Sequence, residues 1–166
     1  MIRLADAQDL AEELFVDLAP YCHRLEIAGS VRRGRADVHD IELVALPREP
    51  GLLQPGLPYV LDMKLQADRI THVKPKRWGE RYRAFMFKDV QIDLFMVRPP
   101  AQWGVIYTIR TGPAAHSQAL VTRALGLGMR VKDGQLWRDG QPVPTPEEEH
   151  FYMALGMEWV RPEDRR

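Results

Sequence analysis

Two acidic residues stand one position apart inside an apolar run of the sequence. Asp40 and Glu42 belong to "DIELVAL", and a strand over this run would place both carboxylates on the same face. Two carboxylates this close repel each other and raise each other's pKa, unless a cation lies between them. Oxygen ligands at this spacing suit magnesium or manganese better than zinc. The pattern therefore predicts that Asp40 and Glu42 bind a divalent metal ion.

A third acidic residue interrupts a second apolar run. Asp93 lies in "VQIDLFMV" between Ile92 and Leu94, and on a strand it faces the opposite side from both. If this strand lies beside the first one, three carboxylates converge on one edge of the sheet. Three such ligands are enough for two metal ions, so we expect Asp40, Glu42 and Asp93 to form a catalytic metal site.

A basic turn precedes the first two acids. The run "GSVRRGR" begins at Gly29, and Asp40 follows Ser30 by ten residues. Glycine lets the backbone approach a ligand closely, and the N–H groups of such a turn can bind phosphate. Ser30 adds a hydroxyl group, and an arginine such as Arg33 matches phosphate oxygens well. Metal-binding acids beside a phosphate-binding turn indicate metal-assisted phosphoryl or nucleotidyl transfer.

Strands and helices must position these residues, and their patterns are visible in the sequence. Alternation of apolar and polar residues predicts strands at 24–28, 40–46, 69–74, 81–88 and 90–97, with a tight turn at Lys88–Asp89. Helical spacing predicts a first helix with Asp6 as its N-cap, and further helices at about 59–67 and 113–125. A capping box over Thr145–Glu148 predicts a last helix that ends at Gly156.

A proline pair divides the pattern into two parts. Pro99–Pro100 interrupts it, so we expect one domain at 1–98 and a second at 99–166. In the second domain, two Asp-Gly turns within residues 130–143 predict a short β-meander. The predicted fold class is α/β, of the α+β kind, with a mixed sheet in the first domain and a small α+β lobe in the second.

The composition excludes several classes of protein. The chain has 166 residues, 45% hydrophobic and 28% charged, which fits one domain or two small lobes with a core. A single cysteine, Cys22, excludes a disulfide framework and suits the reducing cytoplasm, where we expect the protein. The N-terminus is too charged for a signal peptide, and no apolar run approaches the length of a membrane span.

Positive charge is concentrated in one segment. The formal net charge is zero, which argues mildly against nucleic acid as a partner. Residues 69–88, the basic segment, nevertheless contain seven Lys or Arg residues and one Glu. The candidate nucleic-acid-binding residues in this segment are Lys74, Lys76, Arg77 and Arg81.

Taken together, the motifs resemble those of one enzyme family. "GSVRRG" followed by "DIELV", and then "IDLFMV", resembles the nucleotidyltransferase signature of family X DNA polymerases, the group of polymerase beta. "WGVIYTIRTGPAAHSQALVTRAL" and "PEEEHFYMALGMEWVRPEDR" are similar to C-terminal motifs of the same family, so the resemblance spans about residues 10–165. It implies a nucleotidyltransferase palm at 1–98 and a thumb-like domain at 99–166. It also implies a trimmed form, without the N-terminal lyase and helix-hairpin-helix regions of the family.

The resemblance also implies a role for each matching residue. Asp40 and Glu42 would bridge two Mg²⁺ ions, or Mn²⁺ in their place, and Asp93 would bind the ion at the primer terminus. The residues implied to bind the nucleotide are Gly29, Ser30, Arg33, Thr111 and Gly112. One departure is Glu42, which stands where the polymerases usually have Asp.

The expected function is that of a minimal family X DNA polymerase. It would add nucleotides to the 3′-hydroxyl of a DNA primer at short gaps, as in DNA repair. Its partners would be gapped or nicked duplex DNA and nucleoside triphosphates, and we expect a monomer. Two alternatives stay open: a nucleotidyltransferase of the same fold that acts on RNA, protein or a small molecule, and a non-catalytic module that binds nucleotide or DNA.

Overall fold

The computed structural model describes all 166 residues, which form two compact units, Met1–Met96 and Val97–Arg166. Both units combine helices with β-structure, and the sheet of the first unit contains parallel and antiparallel pairs. The predicted α+β fold class with a mixed sheet is therefore confirmed. None of the helices has the length and the apolar composition that a membrane span requires.

A five-stranded sheet organises the first unit. The strands of this unit are β1 (Ile2–Arg3), β2 (Cys22–Ile27), β3 (Asp37–Val38), β4 (Asp40–Pro47), β5 (Thr71–His72), β6 (Tyr82–Phe87) and β7 (Val90–Met96). The sheet has the order β2-β4-β7-β6-β5, and β1 pairs separately with β3. Strands β4 and β7 are parallel, and their outer neighbours are antiparallel to them. The two acid-bearing strands are thus adjacent at the centre of the sheet.

Apolar packing fixes which face of the central strands carries the acids. The helices of this unit are α1 (Leu4–Leu18), α2 (Gly29–Arg32) and α3 (Leu57–Gln66). Ile41 and Leu43 of β4 and Leu14 of α1 belong to one apolar cluster, and each is at most 2% exposed. Burying one such side chain contributes about 1.5–3 kcal/mol. A register slip of one residue would turn the acids into this core, so the packing holds them on the opposite face.

The second unit places three helices around a small sheet. Its elements are α4 (Trp103–Thr111), α5 (Ala114–Gly126), β8 (Met129–Lys132), β9 (Gln135–Arg138), β10 (Gln141–Val143) and α6 (Glu148–Ala154). The three strands form an antiparallel meander in the order β10-β9-β8. The turns Asp133–Gly134 and Asp139–Gly140 have φ values between 51° and 75°, as two-residue hairpin turns require. The predicted meander is therefore confirmed.

Two predictions in the first unit are wrong at their boundaries. Helix α1 begins at Leu4 after Arg3, and Asp6 lies in its first turn, where its carboxylate accepts a hydrogen bond of 3.0 Å from Arg3 Nε. A negative charge in the first turn is favourable beside the helix dipole, so Asp6 supports the helix without capping it. The strand predicted at 69–74 is limited to Thr71–His72, because Pro75 begins a 3₁₀ turn and cannot donate a ladder hydrogen bond.

The capping box predicted over Thr145–Glu148 is also wrong. Helix α6 begins at Glu148, and no side chain caps its N-terminus. Thr145 is fully buried, and its hydroxyl donates to Gln102 Oε1 at 3.0 Å. The backbone N–H of Thr145 donates to the same oxygen. This residue therefore ties the segment before α6 to the start of α4 and is not available as a cap.

Candidate active site

The parallel pairing of β4 and β7 brings the three acidic residues onto one face. Glu42 lies directly opposite Asp93 in the register of the two strands, and Asp40 lies two residues before Glu42. All three side chains are half-buried, whereas Ile41, between Asp40 and Glu42, and Leu43, directly after Glu42, are fully buried on the other face. Glu42 and Asp93 are 51 residues apart along the chain, and only this strand pairing makes them neighbours.

The carboxylates on this face influence one another electrostatically. Partial burial, followed by the negative charge of Asp93, raises the pKa of Asp40. The charges of His39 and Arg33 act in the opposite direction but do not cancel the rise. The pKa of Asp40 is therefore raised mainly by burial and in addition by the neighbouring carboxylate, and a cation bound between the two carboxylates would lower it.

Two polar side chains hold Asp93 in place. The Tyr82 hydroxyl and the Gln91 side-chain amide each donate a hydrogen bond of 3.0 Å to Asp93 Oδ1. Burial, followed by the charge and the hydrogen bond of Asp93, raises the pKa of Tyr82, and the nearby Arg77 opposes this rise. The Tyr82 hydroxyl thus stays protonated and able to donate. Sequence reasoning missed both donors, although the alternation of Gln91 and Asp93 on one strand was a usable signal for the amide.

Gly29 lies directly against the Glu42 carboxylate. Its φ is +58°, which glycine adopts freely and other residues adopt at a cost, and a Cβ at this position would overlap the Glu42 carboxylate. The backbone N–H of Ala28 donates to the Glu42 carbonyl oxygen at 2.8 Å. The turn after β2 is thereby fixed beside the acids, and a side chain at its first position would displace the Glu42 carboxylate.

The two side chains predicted to bind phosphate follow in the short helix α2 and at its end. Ser30 Oγ is buried and has no hydrogen-bond partner in the protein. Arg33 is half-buried at the end of α2, and its charge lowers the pKa of Asp40, which places it within electrostatic range of the acids. A hydroxyl that is buried without a partner costs free energy, so a ligand oxygen at Ser30 would relieve that cost.

The three carboxylates are suitable ligands for a divalent cation, but their side chains are not grouped around one point. Carboxylate oxygens are the ligands that magnesium and manganese prefer. However, the Glu42 carboxylate lies against Gly29 and Asp93 Oδ1 is held by two donors, and no three or more His, Cys, Asp or Glu side chains are grouped as a metal site. The shared face thus offers suitable ligands without a preassembled set of three.

The basic segment presents its candidate nucleic-acid-binding residues to solvent. Lys74, Lys76, Arg77 and Arg81 are all exposed, and the 3₁₀ turn Pro75–Arg77 carries two of them. Solvated cations on one short segment are able to neutralise several phosphates of a nucleic-acid backbone. Their exposure leaves all four cations accessible to such a partner.

A tryptophan anchors the basic segment to the rest of the first unit. Trp78 Nε1 donates to Asp62 Oδ1 at 2.8 Å, and Arg83 Nη1 donates to the same oxygen at 2.7 Å. The Arg83 guanidinium also lies 4.5 Å from the centre of the Trp78 ring, and the ring of His72 meets the tryptophan edge-on. This cluster ties Trp78, which follows the 3₁₀ turn with its exposed cations, to Asp62 of α3 and to the buried Arg83 of β6.

Thr111 and Gly112, the other predicted nucleotide-binding residues, lie in the second unit. Thr111 is the last residue of α4 and is fully buried, and Gly112 follows it before α5. A Cβ at Gly112 would approach His116 Cδ2 and Ser117 Oγ to 3.1 Å, and Ser117 Oγ donates to the Ile109 carbonyl at 2.8 Å. The turn between α4 and α5 is therefore tightly packed.

The comparisons with known proteins concern the second unit. Residues 107–166, which are 60 of the 166 residues, match the family model of the DNA polymerase beta thumb. No curated protein matches the chain. The family match supports a relationship between the C-terminal part of the chain and family X polymerases. It does not include Asp40, Glu42 or Asp93.

Proposed function

We propose that the chain is a metal-dependent nucleotidyltransferase that adds nucleotides to the 3′-hydroxyl of a DNA primer at short gaps. One observation carries the proposal. The same chain joins three acids on one face of β4 and β7, next to Gly29, to a C-terminal part that matches the DNA polymerase beta thumb. The proposal needs both parts, because acidic residues on strands are common and because the residues matched to the thumb family do not include the three acids.

The turn after β2 would bind the phosphates of the incoming nucleoside triphosphate. Ser30 Oγ would donate to a phosphate oxygen, which would satisfy a buried hydroxyl that has no partner. Arg33 would donate to an outer phosphate, and a charge-assisted hydrogen bond of this kind contributes roughly 1.5–3 kcal/mol. For Thr111 and Gly112, contact with the sugar of the nucleotide stays a prediction from the resemblance alone.

The acidic face would hold the reacting groups. Asp40, Glu42 and Asp93 would bind two Mg²⁺ ions, which supply electrostatic stabilisation of the transition state and a more acidic 3′-hydroxyl. The 3′-oxygen forms a bond to the α-phosphorus, the bond from that phosphorus to the pyrophosphate oxygen breaks, and the hydroxyl proton is lost to water. The chain contributes the parallel pairing of β4 and β7, which brings the three acids onto one face of the sheet.

The proposed acceptor is a duplex with a short gap. The exposed cations Lys74, Lys76, Arg77 and Arg81 would contact the DNA backbone, and the thumb-like part would contact the duplex as well. The other cluster of positive charge, Arg32, Arg33 and Arg35, lies in the turn proposed to bind the nucleotide, and the net charge of the chain is zero. The affinity for a long single-stranded template should therefore be low, and synthesis should stop after the addition of one or a few nucleotides.

A primer-extension assay tests the proposal. The purified protein is offered gapped duplex, nicked duplex, open primer–template, single-stranded DNA and RNA, each with deoxy- and ribonucleoside triphosphates and with Mg²⁺ or Mn²⁺. We expect extension of DNA duplexes, strongest at short gaps. Extension of single-stranded DNA in preference to every duplex would contradict the gap-filling assignment.

Removing one acid should abolish transfer without unfolding the protein. Asp40→Asn and Asp93→Asn should each lower the rate by several orders of magnitude, because each 1.4 kcal/mol of lost transition-state stabilisation is about tenfold in rate. Asp9→Asn, on the exposed side of α1, is the matched control and should keep the wild-type rate. Near-normal transfer by either folded acid variant would show that the acidic face is not the active site.

One observation favours another acceptor. The net charge of zero is unusual for a protein that binds DNA, whereas an enzyme that modifies a small molecule or a protein needs no basic surface. Label transfer from a nucleotide to RNA, protein or a small molecule, with no extension of DNA, would establish that alternative. Nucleotide binding without transfer to any acceptor would indicate a non-catalytic module.

A further inference from the structure

Two side-chain donors hold the same oxygen of the Asp93 carboxylate. Tyr82 Oη and Gln91 Nε2 each lie 3.0 Å from Asp93 Oδ1. Neither donor bonds Oδ2. A carboxylate with both donors on one oxygen has a fixed plane, and its other oxygen keeps its full capacity as an acceptor or ligand.

The positions of the two donors follow from the sheet. Gln91 and Asp93 alternate on β7, so both side chains lie on the acidic face. Tyr82 of β6 pairs with Phe95 of β7, and their rings stack with centroids 5.0 Å apart. From that position the Tyr82 hydroxyl reaches diagonally to the acid two residues before Phe95, a distance that a long aromatic side chain spans. The ring stack thus holds the hydroxyl in place independently of the acid.

We infer that Tyr82 and Gln91 are positioning residues, which hold Oδ1 of Asp93 so that Oδ2 is directed to the reaction. The inference rests on the proposed function, because it assigns the held acid to the binding of a divalent ion and the primer terminus. Partners that hydrogen-bond a ligating carboxylate fix its orientation, and their loss typically lowers metal affinity or activity by 10–100-fold. Tyr82 and Gln91 hydrogen-bond the Asp93 carboxylate in this way.

Tyr82→Phe is the sharpest test, because it keeps the stack on Phe95 and removes only the hydroxyl. We expect kcat to fall by about tenfold, which is about 1.4 kcal/mol, with KM for the nucleotide within about twofold of wild type. Tyr59→Phe, an exposed tyrosine of α3, is the matched control and should leave both constants unchanged. In a protein that already carries Asp93→Asn, Tyr82→Phe should not lower kcat further. A double-mutant cycle gives this result when one residue acts only through the other.

A second measurement does not depend on turnover. Free Mn²⁺ is followed by electron paramagnetic resonance in a titration of the protein with Mn²⁺ and a non-hydrolysable deoxynucleoside triphosphate. Tyr82→Phe and Gln91→Leu should each weaken Mn²⁺ binding by about tenfold, and Tyr59→Phe should not. If both variants bind Mn²⁺ as wild type does while kcat is also unchanged, the two donors only satisfy a half-buried carboxylate and the inference is wrong.

The failure of this inference is distinguishable from the failure of the proposed function. If wild-type protein transfers nucleotides and Tyr82→Phe behaves like Tyr59→Phe in both measurements, the positioning role is refuted and the function stands. If wild-type protein transfers nothing to any acceptor, the function is refuted. The Mn²⁺ titration then decides the positioning role alone, supporting it if Tyr82→Phe weakens binding and overturning it otherwise.

Discussion

A buried ion pair in the second unit offers the clearest test of the structural reasoning. Arg165 is fully buried near the end of the chain, and its Nη1 lies 2.9 Å from Glu148 Oε1 at the start of α6. Arg165 Nε also donates to the Val160 carbonyl at 3.0 Å, and Trp159 Nε1 donates to the other Glu148 oxygen at 3.3 Å. We predict that Glu148→Gln strongly destabilises this unit while keeping its shape.

The magnitude follows from the burial of both groups. The two side chains are 0% and 6% exposed, so the substitution removes a negative charge that lies 2.9 Å from a buried guanidinium in a medium of low polarity. Breaking a buried pair on one side costs about 3–5 kcal/mol. Arg161 and Asp164 supply the matched control, since their ion pair is 66% and 55% exposed, and exposed pairs contribute about 0–1 kcal/mol. Asp164→Asn should therefore change stability little.

Urea unfolding of the full chain, followed by tryptophan fluorescence and circular dichroism, measures the effect. We expect Glu148→Gln to lower the free energy of unfolding by about 3 kcal/mol or more and Asp164→Asn by less than about 1 kcal/mol. The double variant Glu148→Gln with Arg165→Met should recover part of the loss, because it also removes the buried positive charge. A loss for Glu148→Gln no larger than that for Asp164→Asn would refute the reasoning.

Three further predictions concern the first unit. Gly29→Ala should lower the free energy of unfolding by about 1–2 kcal/mol and should also impair nucleotide transfer. Gly34→Ala is the control, because Gly34 has φ +67° with open space around it, and it should lower stability only. Equal transfer by the two variants would contradict this difference. Burial raises the pKa of Cys22 to about 11, so a thiol reagent at pH 8 should label the native protein far more slowly than the urea-unfolded protein. Arg33→Ala should raise KM for the nucleotide. Lys74→Glu should instead weaken DNA binding and make that binding less dependent on salt concentration. If binding assays show the same loss of nucleotide and DNA affinity for both variants, the two sites are not separate.

Local pattern was sufficient for much of the fold. The Asp-Gly turns of the meander and the turn at Lys88–Asp89 were predictable because their positive φ values depend on the turn residues themselves. The alternation of Asp40 and Glu42 with Ile41 also follows from a strand alone. Predictions at helix starts were less accurate. Arg3 and Gln102 bond the residues expected to cap, and the partner of a cap in three dimensions is not visible in the sequence.

The sequence by itself determined the residue types of the candidate site and their alternation along each strand, because these depend on near neighbours and on the period of the backbone. Only the tertiary structure decided that Glu42 lies opposite Asp93, that Tyr82 reaches the same acid, and that Gly29 lies against Glu42. These relations depend on strand order and register across tens of residues. Burial of Ile41, Leu43 and their partners in one core fixes that register, and a local pattern carries no information about it.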